Sequence, residues 1–190
     1  MSRSAAIDLD FADDTYRFRL GWGELEELQE KCNAGPQRIL MRLASADWRI
    51  DDIRHTIRLG LIGGGVEPVK ALKLVRAYVE ARPPVESVTL ALGVLQVALI
   101  GAPEERDAAP SGAGERIDDL PNGKIRFDKV LGAGAAMGFT PAETRAMSVY
   151  EFGAAARGVA EAHAPAASMS SKEADEVWEW MREHEGETVN

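Results

Sequence analysis

One change in the spacing of apolar residues limits the possible folds of this chain more than any other feature. From Ile7 to Leu20 apolar residues alternate with polar ones on both sides of Asp13 and Asp14, whereas beyond Leu20 they recur every three or four residues. Alternation is typical of a strand with one buried face, and the longer spacing is typical of an amphipathic helix. The sequence therefore predicts a mainly α protein that begins with a β-hairpin.

The two strands of this hairpin suggest their own register. A two-residue turn at Asp13 and Asp14 would place three apolar pairs on one face: Phe11 with Tyr16, Leu9 with Phe18, and Ile7 with Leu20. The same register would place two charge pairs on the other face: Asp10 with Arg17 and Asp8 with Arg19. Because opposite charges across a strand pair are mildly stabilising, both faces favour this register.

Several amphipathic helices follow the hairpin. The first buries Leu25, Leu28 and Cys32, and Pro36 suits the first position of the second. A third helix has Asp51 as its expected N-cap and a stripe formed by Ile53, Ile57 and Leu61. In the fourth we expect Val69, Leu72 and Val79 to face inward. Together these elements predict a helical bundle that extends to about residue 101.

Three consecutive glycines, Gly63, Gly64 and Gly65, separate the third and fourth helices. A phosphate-binding loop would need a lysine and a hydroxyl residue after its last glycine, and neither is present. Glu67 would also repel a phosphate at the start of the next helix. The glycines therefore predict a helix cap and a sharp corner, with Pro68 near the first position of the next helix.

The helix expected over residues 86–100 is apolar on almost every side. Such a helix either forms the centre of a core or presents a surface to another chain, and the sequence leaves both open. If it is a surface, the candidate partner-binding residues are Val88, Leu92, Leu95 and Leu99. Trp178 and Trp180, two positions apart in a late helix, are candidate interface anchors, although packing within the domain also explains them.

A segment rich in alanine, proline, glycine and acidic residues, 102–120, divides the chain and predicts a flexible linker. Beyond it, residues 121–190 predict a small second helical domain. Three capping boxes would begin helices there, at Thr140–Glu143, Ser148–Glu151 and Ser170–Glu173. We thus expect a hairpin and helical bundle over residues 1–101, a linker, and a small helical module.

Composition argues against most chemical functions. The net charge of −9 disfavours nucleic acid as the main partner. The histidines lack metal-ligand spacing, and Cys32 lies on an apolar stripe with no base beside it. We therefore expect a protein without enzymatic activity, metal or cofactor. The N-terminus lacks the apolar core of a signal peptide, and the uncharged run 87–103 is too short to span a bilayer, so we expect a cytoplasmic chain without a membrane partner.

Two stretches carry a resemblance to phage proteins. Residues 16–83, including "RLGLIGGG" and "LVRAYVE", resemble the gene transfer agent family of phage-type tail assembly chaperones, and the likeness extends over about residues 7–101. The segment of about 122–185, with "GFTPAETRAMSVYEFGAA" and "MSSKEADEVWEWM", is similar to a second, smaller chaperone family. There Thr144 or Arg145 replaces the family's usual aromatic residue, and Ser148-Val149 replaces its usual Thr-Pro.

The resemblance implies a tail assembly chaperone that solubilises the tape-measure protein and helps recruit tail-tube protein. Such a chaperone would be absent from the mature particle, and it could form a homo-oligomer. The alternative is a structural head–tail or tail component that the particle retains. A tail-tube role is disfavoured because tube proteins are predominantly β and only one hairpin is expected. A DNA-binding regulator that uses the helix with Lys70, Lys73 and Arg76 is a weaker alternative.

Overall fold

The computed structural model describes residues 4–100 and 121–163, and that part of the chain is mainly helical with an N-terminal hairpin, as predicted. The strands are β1 (Ala6–Phe11) and β2 (Asp14–Arg19). The helices are α1 (Trp22–Cys32), α2 (Pro36–Ala44), α3 (Ile50–Gly63), α4 (Pro68–Val75), α5 (Val85–Ile100), α6 (Phe127–Ala136), α7 (Pro141–Ala146) and α8 (Val149–His163). A π-helical turn (Arg76–Glu80) follows α4, and a 3-10 turn (Pro121–Gly123) precedes α6.

The chain divides into two compact units, Met1–Ala156 and Arg157–Asn190. Of the second unit the structure describes residues 157–163, the end of α8. The hydrophobic core of the first unit is built from β2, α1–α5 and the beginning of α6. The two strands pair antiparallel in a two-stranded sheet.

The predicted hairpin register is wrong by two residues. Leu9 pairs with Tyr16 and Ile7 with Phe18, so the turn is formed by Ala12 and Asp13 rather than by Asp13 and Asp14. Ala12 has a φ of 61° at the first turn position. A shift of two residues leaves every side chain on its original face, so alternation alone cannot distinguish the two registers.

Charge pairing differs accordingly on the polar face of the hairpin. Asp8 lies opposite Arg17, with 2.9 Å between the carboxylate and Nε, and Asp10 lies opposite Thr15. This ion pair lowers the pKa of Asp8, chiefly through the Arg17 hydrogen bond. Arg19, expected opposite Asp8, pairs with Ala6 and contacts Glu151 instead. The polar face thus contains one Asp–Arg pair, Asp8 with Arg17, where the predicted register contains two.

The helices of the bundle bury the stripes that the sequence predicts. Leu25, Leu28 and Cys32 are buried on α1, and the predicted stripe of α3 has no exposed side chain. The start of α3 differs from the expectation, because Arg49 rather than Asp51 is the N-cap residue. The Asp52 carboxylate accepts the Arg49 backbone N–H at 3.0 Å and fixes the first turn two residues earlier than an N-cap at Asp51 would.

The three glycines form the predicted corner between α3 and α4. Pro68 is the first residue of α4, and Gly65 has a φ of 103°, a conformation that favours glycine. A Cβ on Gly63 or Gly64 would collide with main-chain carbonyl oxygens of β2. The glycines therefore also allow the end of α3 to lie directly against the strand.

The inward face of α4 is displaced from the predicted one. Val69 is 55% exposed, so its expected inward orientation is wrong, whereas Val79 in the following π turn is buried as predicted. Ala71, Leu74 and Val75 form the buried side of the helix. Val69 lies in the first turn of α4, next to the glycine corner, on a part of the helix that does not pack against the core.

Residues 121–156 pack against α1. The Trp22 ring meets Phe127 and Phe152 edge to face, each with 5.8 Å between centroids. The Trp22 backbone N–H donates to the Met147 carbonyl at 2.9 Å. The Gln29 side chain bonds both main-chain groups of Ile125, accepting from its N–H at 2.6 Å and donating to its carbonyl at 3.1 Å. Both segments therefore belong to one compact unit.

Two of the predicted capping boxes are present. Thr140 and Glu143 bond each other's backbone N–H groups at the start of α7, at 2.8 and 3.2 Å. Ser148 and Glu151 do the same at the start of α8, at 2.7 and 3.1 Å. The third box, Ser170–Glu173, lies outside the described residues. The two observed boxes define helix starts where the sequence places them.

Candidate interaction surface

Helix α5 lies at the centre of the bundle, in contact with α2, α3 and β1. Its buried side includes Ala91, Val94, Leu95 and Ala98. A glycine of α3 permits close packing there, since a Cβ on Gly60 would lie 2.9 Å from a methyl group of Val94. One side of this apolar helix is therefore core.

The candidate partner-binding residues of α5 do not share one environment. Leu95 has no exposed surface, so its proposed contact with a partner is wrong: its side chain belongs to the core. Val88, Leu92 and Leu99 are half-buried and pack against the core while keeping part of their surface accessible. Trp178 and Trp180 lie outside the described residues.

A shallow apolar groove runs between α5 and β1. Ile7 and Leu9 of β1 face Leu90 and Val97 of α5 across a space of about 300 Å³, and Gly93 lies on the helix side. Thr89, Gln96 and Asp10 add polar atoms at its edge. A Cβ on Gly93 would meet no atom within 4 Å, so the groove is open above that glycine.

The half-buried Leu90, which lines the groove, was not among the predicted partner-binding residues. A helix that is apolar all round gives no face preference, so the choice between its sides depends on where β1 packs. The alternation of Ile7 and Leu9 in β1 is the sequence signal that could have located this side.

Cys32 and His55 occupy environments that disfavour reactivity. Burial, followed by the nearby Asp52 charge, raises the pKa of the Cys32 thiol to about 12. His55 is half-buried, and burial together with the neighbouring Arg54 charge lowers its pKa. Within residues 4–100 and 121–163, no group of His, Cys, Asp and Glu is placed to hold a metal ion. No helix in those same ranges is long and apolar enough to cross a membrane.

Comparison with known families bears on these alternatives. Residues 4–101, slightly more than half of the chain, match the sequence model of a family described as phage tail tube protein, GTA-gp10. The chain belongs to this family. The matched region contains the hairpin and α1–α5, hence the whole groove. No curated protein and no solved structure matches the chain significantly.

Membership of this phage tail tube family corrects three predictions. The main functional hypothesis, an assembly chaperone for the tape-measure protein, is wrong, because the family is described as a tube component of the tail. The argument that one hairpin disfavours a tube role fails for the same reason. Absence from the mature particle was a consequence of the chaperone hypothesis and falls with it. The match ends at residue 101, so it lends no support to a second chaperone module over residues 122–185.

Proposed function

We propose that this protein is a structural subunit of the tail of a phage-like particle or gene transfer agent and that the finished particle retains it. The single observation that carries the proposal is the family match over residues 4–101. That region includes both strands, the first five helices and most of the buried core, so the likeness concerns a folded body and not a short motif.

The groove between β1 and α5 is the contact face that we propose for a neighbouring copy of the chain. A tube is built from repeated subunits, so each subunit must present surfaces to its neighbours. Ile7, Leu9 and Leu90 are half-buried and offer apolar surface in the open groove, and the buried Val97 forms part of its floor. Burying such surface against a neighbour would favour assembly by about 25 cal/mol per Å² before the entropy of association is subtracted.

Mass spectrometry of purified particles tests the structural role. Particles are separated on a density gradient and treated with protease to remove adhering host protein. We expect peptides of this chain at a constant ratio to other tail proteins, and tail-less particles from a strain that lacks it. Absence of the chain from intact tailed particles would overturn the proposal.

Gly93 offers a test of the groove with a matched control at the same position. Gly93→Arg would place a long charged side chain into the open groove, whereas Gly93→Ala adds one methyl group that meets no atom. We expect Gly93→Arg to fold normally and to reduce tailed particles at least tenfold, while Gly93→Ala assembles like the wild type. Equal assembly by both folded variants would exclude the groove as a contact face.

A further inference from the structure

A second concave surface lies beside α2, on elements that do not form the groove. This surface, the arginine hollow, is lined by Arg38 and Arg42 of α2 and by Arg49 just before α3. Met41 and Trp48 contribute its apolar part, and its volume is about 490 Å³. The hollow combines three guanidinium groups with an aromatic ring, a combination frequent at protein interfaces.

The three arginines differ in what they already bind. The Arg42 guanidinium contacts the fully buried Asp52 carboxylate at 2.6 Å, which fixes its position, while its Nε is buried without a hydrogen-bond partner. Arg38 and Arg49 are exposed and have no ion-pair partner within the part of the chain that the structure describes. Among the described residues that line the hollow, Asp47 is the one acidic residue. The hollow thus contains two exposed arginines without a described ion-pair partner, Arg38 and Arg49. The third, Arg42, is held in place by Asp52.

The tip of the hairpin carries the opposite charge. Asp10, Asp13 and Asp14 surround Ala12 at the turn, all four are exposed, and no described cation lies within ion-pair distance of the three carboxylates. Asp13 accepts the Tyr16 hydroxyl at 2.9 Å and Asp10 accepts that of Thr15, which orients both carboxylates. Lys70 approaches this end of the hairpin, with its Nζ 5.2 Å from the centre of the Tyr16 ring.

The tip and the hollow share no residue and are built by different elements. We propose that the acidic hairpin tip of one copy docks into the arginine hollow of the next copy. Such a contact joins two different surfaces of the same chain, so it repeats head to tail and closes into a ring or extends into a filament. The inference rests on the proposed function for its place in a tail, but the contact itself can be tested on purified protein.

The occupant follows from charge and shape. In the proposed contact, the three carboxylates of the tip form ion pairs with Arg38 and Arg49. Ala12, at the turn, is small enough to allow contact with Met41 and Trp48. Exposed ion pairs are individually weak and are screened by salt. We therefore expect association of the full-length chain that rises with protein concentration and falls with ionic strength.

Charge reversal in the full-length protein tests this contact. The hollow variant is Arg38→Glu with Arg49→Glu, and the tip variant is Asp13→Lys with Asp14→Lys. Sedimentation velocity at low and high salt should show at least a tenfold loss of association for each variant alone. A mixture of the two should restore association, because each Lys tip meets a Glu hollow and each Asp tip meets an Arg hollow.

Matched controls carry the same charge changes at exposed positions elsewhere. Lys73→Glu with Arg76→Glu corresponds to the hollow variant, and Glu30→Lys with Glu86→Lys corresponds to the tip variant. Both controls should associate like the wild type, and circular dichroism should show that all four proteins are folded. Equal loss in a control would mean that net charge, and not this contact, governs association, which would overturn the inference.

Other outcomes separate this inference from the proposed function. Association that survives both reversals but is lost in Gly93→Arg would overturn the tip-and-hollow contact and leave the structural role intact. A wild-type chain that remains monomeric at every concentration and salt would also overturn the contact. Detection of the chain in purified particles, which does not depend on these variants, decides the structural role separately.

Discussion

The Cys32 side chain lies on the buried side of α1, and its Sγ is 3.5 Å from the Asp51 carbonyl, to which the thiol donates. The Asp52 carboxylate is also near, and Arg42 compensates its charge at 2.6 Å. A thiolate at Cys32 would lose its hydration and would lie near the negative charge of Asp52. This local chemistry makes Cys32 a core residue, as the apolar stripe of α1 predicts, and it has a measurable consequence.

We expect Cys32 to react with a thiol reagent at pH 8 only after unfolding. Its pKa is raised to about 12 in the folded chain. Against an unfolded pKa of about 8.5, the thiolate fraction at pH 8 is roughly 10³-fold lower when folded. Reaction rates in buffer and in denaturant measure the difference. A fast reaction of the native protein would show that α1 is open at this position.

The same shift predicts an alkaline loss of stability. As the pH rises past about 8.5, the unfolded chain releases the thiol proton while the folded chain retains it. The contribution of the thiol is therefore complete below that pH and is lost as the pH rises through about 12. Urea unfolding at several pH values should show a shallower alkaline decline for Cys32→Ala than for the wild type.

At the scale of secondary-structure elements, the glycines at the end of α3 decide how closely that helix approaches β2. Gly64→Ala would force a Cβ against the Arg17 carbonyl, and we expect a loss of about 1–3 kcal/mol in the free energy of unfolding. Gly93→Ala, on the open side of α5, should gain about 0.5–1 kcal/mol. Chemical denaturation measures both, and a neutral Gly64→Ala would contradict the close approach.

Elements were easier to predict than their mutual placement. The order of hairpin, bundle and glycine corner follows from local patterns. So do the start of α4 at Pro68 and the capping residues Thr140 and Ser148 that precede α7 and α8. The hairpin register does not follow from local patterns, because a shift of two residues keeps every side chain on its original face. The side of α5 that stays accessible does not follow from local patterns either. A uniformly apolar helix shows no preferred face, and which side is covered depends on where β1 packs, which the sequence does not reveal.

At the scale of the whole molecule, the contacts of α1 with residues 121–156 could not be predicted from local patterns. Gln29 looks like an ordinary polar residue at the start of a polar run, yet it is buried and bonds both main-chain groups of Ile125. Its role depends on a segment about one hundred positions later, so neither spacing nor composition near Gln29 reveals it. The same holds for Trp22 and the rings that cover it.

We expect Gln29→Leu to lower the stability of α1 and of the segment that contains Ile125 together. The change leaves the Ile125 N–H and carbonyl without their partner, at a cost of about 1–3 kcal/mol. Hydrogen exchange followed by mass spectrometry should accelerate in α1 and α6 together, because both belong to one compact unit. The exposed Gln37→Leu is the control and should leave exchange unchanged. Acceleration confined to α6 would contradict shared stability.

The covering of Trp22 by Phe127 and Phe152 has an evolutionary consequence, because the family match ends at residue 101, before either phenylalanine. In relatives that consist of the matched region alone, these two rings would not cover an indole at this position. We expect such relatives to carry a smaller or polar residue in place of Trp22, and relatives with an equivalent extension to keep an aromatic one. Residue 22 should therefore covary with the presence of the extension across the family, a marker that can be read from genomes.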